Sequence, residues 1–255
     1  MDGIWEAGED ITLRFPELDY TKRIPGSLDS PESSKMYSIK TLVALVAIGA
    51  ITTVNASCAH LTTLHPRSFE SPSFSYSSPT GPSQWQALSP ANTMCGRGQH
   101  QSPIDIHSLE INTNLGGDGV RSIAGSSLSV MIPDQAHGAE FENLGTTIEV
   151  IVNGTLSCEG KERKLAQFHF HTPGEHLLDG KAAEMEAHFV FQSESDKSIA
   201  VVGFMLNTDA KADSGLFETV MASTGDIATA GSVVQTKALS FGKLIKHLNA
   251  NEVLT

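Results

Sequence analysis

A mainly β fold is predicted for this chain by three features of its sequence. Glycine and proline number 22 and 11, enough to punctuate many short elements. β-Branched and aromatic residues gather in short runs bounded by Gly, Asn, Asp or Pro: "LSVMI" at 128–132, "TIEVIV" at 147–152, "KLAQFHFH" at 164–171, "MEAHFVFQ" at 185–192 and "IAVVGFML" at 199–206. Helical spacing of apolar residues appears late, in "LFETVMA" at 216–222 and in "FGKLIKHLN" at 241–249 through Leu244, Ile245 and Leu248. The 255 residues suffice for one domain with a real core. A formal net charge of −12 and a pI near 5.2 argue against a nucleic-acid partner, whose phosphates an acidic surface repels.

Along the chain, residues 1–35 form a polar leader, with eight Asp/Glu against four Lys/Arg and no clean periodicity. Residues 36–56, "MYSIKTLVALVAIGAITTVNA", read as a secretory signal. Met36 and Lys40 make a short basic start, Thr41 to Val54 an apolar run of 14 residues, and Val54-Asn55-Ala56 a cleavage site. The run is short of the about 20 residues that a comfortable membrane span needs, so no stable span is expected. Its position implies that translation starts at Met36 or that it serves as an internal signal anchor. The expected destination is secreted, with signal anchoring the alternative. Residues 57–73 are a Ser/Pro-rich linker, and 74–255 the folded domain. "NGT" at 153–155 is expected to form a hairpin turn and makes Asn153 a candidate for an N-glycan. The three cysteines, Cys58, Cys95 and Cys158, are too few and too scattered for a zinc ribbon or knuckle.

Chemistry concentrates in "AQFHFHTPGEH", residues 166–176. In a strand, residues two apart share a face. Gln167, His169 and His171 therefore project together, and Phe168 and Phe170 project to the other face. In "EMEAHFVF" the same parity sets Glu186 and His188 against Phe189 and Phe191. Sixteen residues separate His171 from His188, enough for a loop and an antiparallel return. Three imidazoles then meet on one face, the arrangement of a catalytic zinc with an open fourth position. Gln167 and Glu186 are placed to accept the outer N–H groups of His169 and His188. A lone His-x-His is more often exposed or simply hydrogen-bonded; the second strand, with Glu-x-His, shifts the reading to metal. Three histidines would also take cobalt or iron. A rival pattern, His169-x-His171-x-x-x-Glu175, fits the first motif of the cupin barrels, with Glu175 as a ligand.

"QSPIDI" at 101–106, "QFHFHTPGEHLLDGK" at 167–181 and "MEAHFVF" at 185–191 together resemble the α-class carbonic anhydrases. So do "GPSQW" at 81–85, "AVVGFML" at 200–206 and "KALSFGKLIKHLNANEV" at 237–253. The likeness runs from about Phe74 to the end of the chain and is closest to the secreted fungal, plant or bacterial branches. It implies one domain around a large, twisted, mostly antiparallel sheet, and reversible hydration of carbon dioxide to bicarbonate by attack of zinc-bound hydroxide. It implies His169, His171 and His188 as zinc ligands, with Gln167 and Glu186 behind them. By the same resemblance Glu175 orients the nucleophile through a threonine, Gln101 and the adjoining Ser-Pro segment support the site, and Tyr76 belongs to a proton-path water network. Val190 and Val201 would line the carbon dioxide pocket, and His176 would be a buried structural histidine.

Three departures from the family pattern bear on competence. Thr146 stands where many fast members carry a proton-shuttling histidine, and threonine does not titrate near neutrality. The family continues past "HLNANEV" with a Ser-Leu-Thr-Thr-Pro-Pro segment and closing strands, whereas this sequence ends at Thr255. The expectation is a truncated domain of doubtful competence, lacking the threonine partner of Glu175, the carbonyl for the far nitrogen of His171 and the cysteine that Cys95 would join. Cys158 reads as a buried or turn cysteine. The alternatives to an enzyme are a non-catalytic zinc-binding relative and, behind it, a cupin-like metalloprotein.

Overall fold

The structure is a computed structural model and describes residues 11–12, 43–49, 74–76, 79–99, 101–108, 110–111, 120–207 and 215–255. Its strands are β1 (Ile11–Thr12), β2 (Val43–Gly49), β3 (Asp105–Ile106), β4 (Ser122–Ala124), β5 (Ser129–Met131), β6 (Glu140–Asn143), β7 (Ile148–Ile151), β8 (Gly154–Cys158), β9 (Lys161–His171), β10 (Leu177–Leu178), β11 (Lys181–Ala182), β12 (Met185–Gln192), β13 (Ile199–Leu206), β14 (Val233–Gln235) and β15 (Glu252–Leu254). The helices are α1 (Trp85–Leu88), α2 (Met94–Arg97), α3 (Leu216–Met221) and α4 (Gly242–Ala250). Twelve strands form one sheet in the order β14-β6-β7-β9-β12-β13-β2-β1-β15-β4, with β8 alongside β9 and β5 alongside β8. Its pairings are antiparallel. A small sheet, β11-β10-β3, joins the two short strands of the connection between β9 and β12 to β3.

The long strand β9 organises the rest. Its C-terminal half pairs with β7 and its N-terminal half with β8, while β12 covers its other edge from Lys164 to His171. β7 and β8 therefore run in line along one edge of β9 and do not pair with each other, which corrects the hairpin expected at "NGT". The reversal comes six residues later. Glu159 and Gly160, with φ of 51° and 72°, link Cys158 to its partner Lys161. Two successive left-handed residues are the signature of a two-residue hairpin turn whose twist suits the strands.

Parity sorts the faces. Phe168 and Phe170 on β9, Ala187, Phe189 and Phe191 on β12, and Ala200, Val202 and Phe204 on β13 are all buried in one core. The Phe168 and Phe189 rings stack at 4.6 Å with 12° between planes. α3 and α4 cover this face through Leu216, Phe217, Val220, Leu244 and Leu248. The start of α4 is held by Asp134, which accepts hydrogen bonds from the Phe241 N–H (2.8 Å) and the Ser240 hydroxyl (3.1 Å). A carboxylate there satisfies an orphan donor and favours the helix dipole.

Val43–Gly49, the centre of the apolar run read as an export signal, lies in the sheet as β2 and pairs with β13 from Met205↔Val43 to Ile199↔Gly49. Its β-branched, uncharged sequence suits a strand. The linker at 57–73, Cys58, His100 and nearly all of the leader fall outside the described residues. Cys95 is exposed and Cys158 buried, both as free thiols. Among the described residues no helix is long and apolar enough to cross a membrane.

Phe189 is 1% exposed at the centre of this core. Phe189→Ala is expected to destabilise the fold by about 3–5 kcal/mol, whereas Met131→Ala, on the surface, should stay within about 0.5 kcal/mol of the parent. Urea denaturation followed by circular dichroism measures both.

Candidate metal centre

The opposite face of the same strands carries the polar residues. Register aligns His169 with His188, His171 with Glu186, and Gln167 with Val190. His169, His171 and His188 are 0%, 5% and 2% exposed. One ligand atom from each lies within 4.8 Å of the others. The Nε2 atoms of His169 and His171 are 3.0 Å apart.

The outer nitrogens are already engaged. His169 Nδ1 lies 3.0 Å from Gln167 Oε1, and donates to it. His188 Nε2 lies 2.7 Å from Glu186 Oε1. His171 Nδ1 lies 2.6 Å from the Tyr76 hydroxyl oxygen and 3.3 Å from Glu175 Oε1. Burial, and then the neighbouring imidazoles, pushes His169 well below the usual histidine range and His171 down to about 4. Both are neutral at pH 7 and hold one proton each. With those protons turned outward, the inner nitrogens present lone pairs to one another. Crowded lone pairs repel unless a cation sits among them. The donor set of three imidazoles, each backed by an oxygen, fits zinc.

Glu186 anchors this arrangement. Its Oε1 accepts from His188 and from His176 Nδ1 (2.6 Å), and its Oε2 accepts the backbone N–H groups of Glu175 (2.8 Å) and His176 (2.9 Å). Burial alone would raise its pKa, but His176 and His188, by charge and by hydrogen bonding, hold it well below the usual carboxylate range. His176 is 4% exposed, with Nε2 3.3 Å from the Ser102 hydroxyl. His176, Glu186 and His188 also form a compact donor group, whose atoms are spent on one another.

The remaining sequence candidates divide. Glu175 lies beside the histidines and accepts the Tyr76 hydroxyl proton at 2.7 Å. Val190 is buried on the face of His188 and stands directly opposite Val201, which is half-buried. Gln101 is not brought to the cluster: it is exposed, and its amide donates to the carbonyls of Met94 (3.0 Å) and Gly98 (2.9 Å) at the end of α2. Thr146 is exposed in the bend between β6 and β7. Its neighbour Thr147 makes the more specific contact, donating to the Phe170 carbonyl and accepting the Phe170 N–H at 3.2 Å.

Sequence reasoning missed Glu149. It is 2% exposed and stands directly across from His169, so it shares the histidine face. Its Oε2 has no hydrogen-bond partner. Burial, and then Glu142, pushes its carboxyl up to about 8. The signal was there: one acid inside the apolar run "TIEVIV".

A family model for eukaryotic-type carbonic anhydrase matches residues 80–253. The chain belongs to the eukaryotic-type carbonic anhydrase family. Among solved carbonic anhydrases it is similar to the fungal α enzyme of Aspergillus oryzae, at 37% identity and a TM-score of 0.60, covering 71% of this chain and 73% of that one. Among curated carbonic anhydrases it is 36% identical to Alpha carbonic anhydrase 5 of Arabidopsis thaliana over 49% of this chain and 43% of that protein. It is 29% identical to the carbonic anhydrase of a Nostoc strain over 70% and 63%. The chain thus spans about half to under two thirds of these curated relatives. Membership in the carbonic anhydrase family sets aside the cupin reading.

Glu149 yields a pH test. Its carboxyl is raised from 4.5 to about 8 on folding, so the stability tied to its protonated form is complete below 4.5 and lost as pH rises through about 8. Glu149→Gln removes that loss. Melting temperatures of the metal-free protein across this range should show the variant gaining on the parent as pH rises.

Proposed function

We propose that this chain binds zinc through His169, His171 and His188 and catalyses the reversible hydration of carbon dioxide. The observation that supports it most is the convergence of three inner imidazole nitrogens whose outer nitrogens are already bonded. Bound there, zinc supplies a Lewis acid that brings the pKa of water down to roughly 7. The protein's part is orientation and exclusion. Gln167 and Glu186 hold two of the rings in the tautomer that leaves the inner nitrogen free. Val190 and Val201 offer an apolar wall beside His188, suited to an uncharged substrate with no hydrogen bond to donate. The proton released in each cycle must reach solvent, and Thr146, with no titratable group, hands none across. Turnover is then limited by external buffer.

The second reading is a zinc-binding relative without chemistry. It is favoured by Glu175 and Tyr76, whose side chains bond each other and, through the Tyr76 hydroxyl, His171.

For location we read the apolar run at 41–54 as an export signal, whose cleavage would take β2 out of the sheet. Asn153, exposed between β7 and β8, is accessible to glycosylation.

Zinc content and stopped-flow carbon dioxide hydration, measured together on the full chain, separate the readings. The enzyme reading expects stoichiometric zinc and hydration, both lost in His188→Ala. Zinc without hydration supports the second reading, and absence of zinc sinks both. Thr146→His should raise turnover at low buffer while leaving kcat/KM unchanged.

A further inference from the structure

The described residues around Tyr76, 74–76 and 79–80, carry no helix or strand, yet Tyr76 is held from several sides. The Trp85 indole N–H donates to the carbonyls of Ser75 and Thr80, each at 3.1 Å, pinning the strap on both sides of Tyr76. The Ser75 and Thr80 hydroxyls close the same loop at 2.9 Å. The Tyr76 ring meets Phe74 and Trp85 edge-on, at centroid distances of 6.3 Å and 5.8 Å. This aromatic corner delivers a single polar atom to the histidine cluster, the phenol oxygen.

That oxygen has two partners. It is 2.7 Å from Glu175 Oε1 and 2.6 Å from His171 Nδ1. A phenol has one proton to give and lone pairs to receive. The phenol O–H donates to Glu175 Oε1, which leaves the phenol oxygen to accept the Nδ1–H of His171. Glu175 itself lies 3.3 Å from Nδ1, past the usual range for a strong N–H···O bond, so the phenol is the closer acceptor. His169 and His188 each obtain their outer acceptor from a residue two positions earlier in the same strand, Gln167 and Glu186. His171 has no such neighbour: the residue two before it is His169.

We infer that Tyr76 is a positioning residue for the metal ligand His171, passing the pull of the Glu175 carboxylate to its Nδ1–H and so fixing the tautomer that leaves Nε2 free for zinc. The inference deepens the zinc-binding reading and rests on it. Tyr76 touches neither substrate nor metal in this role. It acts through His171, and Glu175 acts through Tyr76. The two side chains form one unit.

The test uses the full chain, with zinc affinity read by competition against a chromogenic chelator and with activity set aside. Tyr76→Phe keeps the ring and its aromatic contacts and deletes only the hydroxyl. It should weaken zinc binding by about 10–100-fold, the usual cost of removing an outer partner of a metal-bound histidine. Glu175→Gln should weaken it less. The double variant should be no weaker than Tyr76→Phe alone, because the two act in series. The metal-free protein, labelled with 15N-histidine, should show a hydrogen-bonded Nδ1–H for His171 that Tyr76→Phe removes. Wild-type affinity in a folded Tyr76→Phe, or losses that add in full in the double variant, overturns the inference. If the parent chain takes no zinc, the metal reading falls. The Nδ1–H signal then still decides whether the His171–Tyr76–Glu175 relay exists.

Discussion

The register of β9 against β12 is the constraint on which the site depends. It sets His169 opposite His188 and His171 opposite Glu186, and it sends the phenylalanines between them into the core. Chemistry and stability are thus written on the two faces of the same strand pair. A slip of one residue would exchange the faces, burying imidazoles among phenylalanines and exposing the rings. The stacked Phe168 and Phe189 make such a slip costly, so the core face enforces the geometry of the polar one.

The register is interrupted once, between Val190 and Phe191, where β9 carries an extra residue. Gln167 pairs with Val190, Leu165 with Phe191, and Ala166 is the insertion. Without it, Leu165 would fall on the face of Gln167. With it, Leu165 joins the core, and Gln167 remains behind His169. A bulge beside a reactive centre re-aims side chains without altering the pairing beyond it. Here it lets one strand supply both a ligand group and an apolar root.

Much of this was legible in the sequence because strand parity is local. "QFHFH" and "EAHFVF" declare their faces without further knowledge, and β12 and β13 fall on their predicted residues, 185–192 and 199–206. What was not legible depends on partners far along the chain. Nothing near residue 153 states that β7 and β8 both belong to the edge of β9, so a turn-like "NGT" reads as a reversal. That Glu149 shares the histidine face becomes visible only when β9 is laid beside it. Tyr76 reaches His171 across 95 positions, through an aromatic corner that no periodicity reveals. The polypeptide between Met36 and Ala56 shows the converse. An apolar run suits a signal and a strand equally, and Val43–Gly49 lies here in the sheet.

β9 and β12 are inner strands of the sheet, flanked by β7 and β8 on one side and β13 on the other. Amides in such positions exchange with solvent only through the largest openings of a protein. All three histidines sit on this pair. The backbone that aims them therefore moves only when the sheet itself opens, so the spacing of the three donors persists as long as the folded state does.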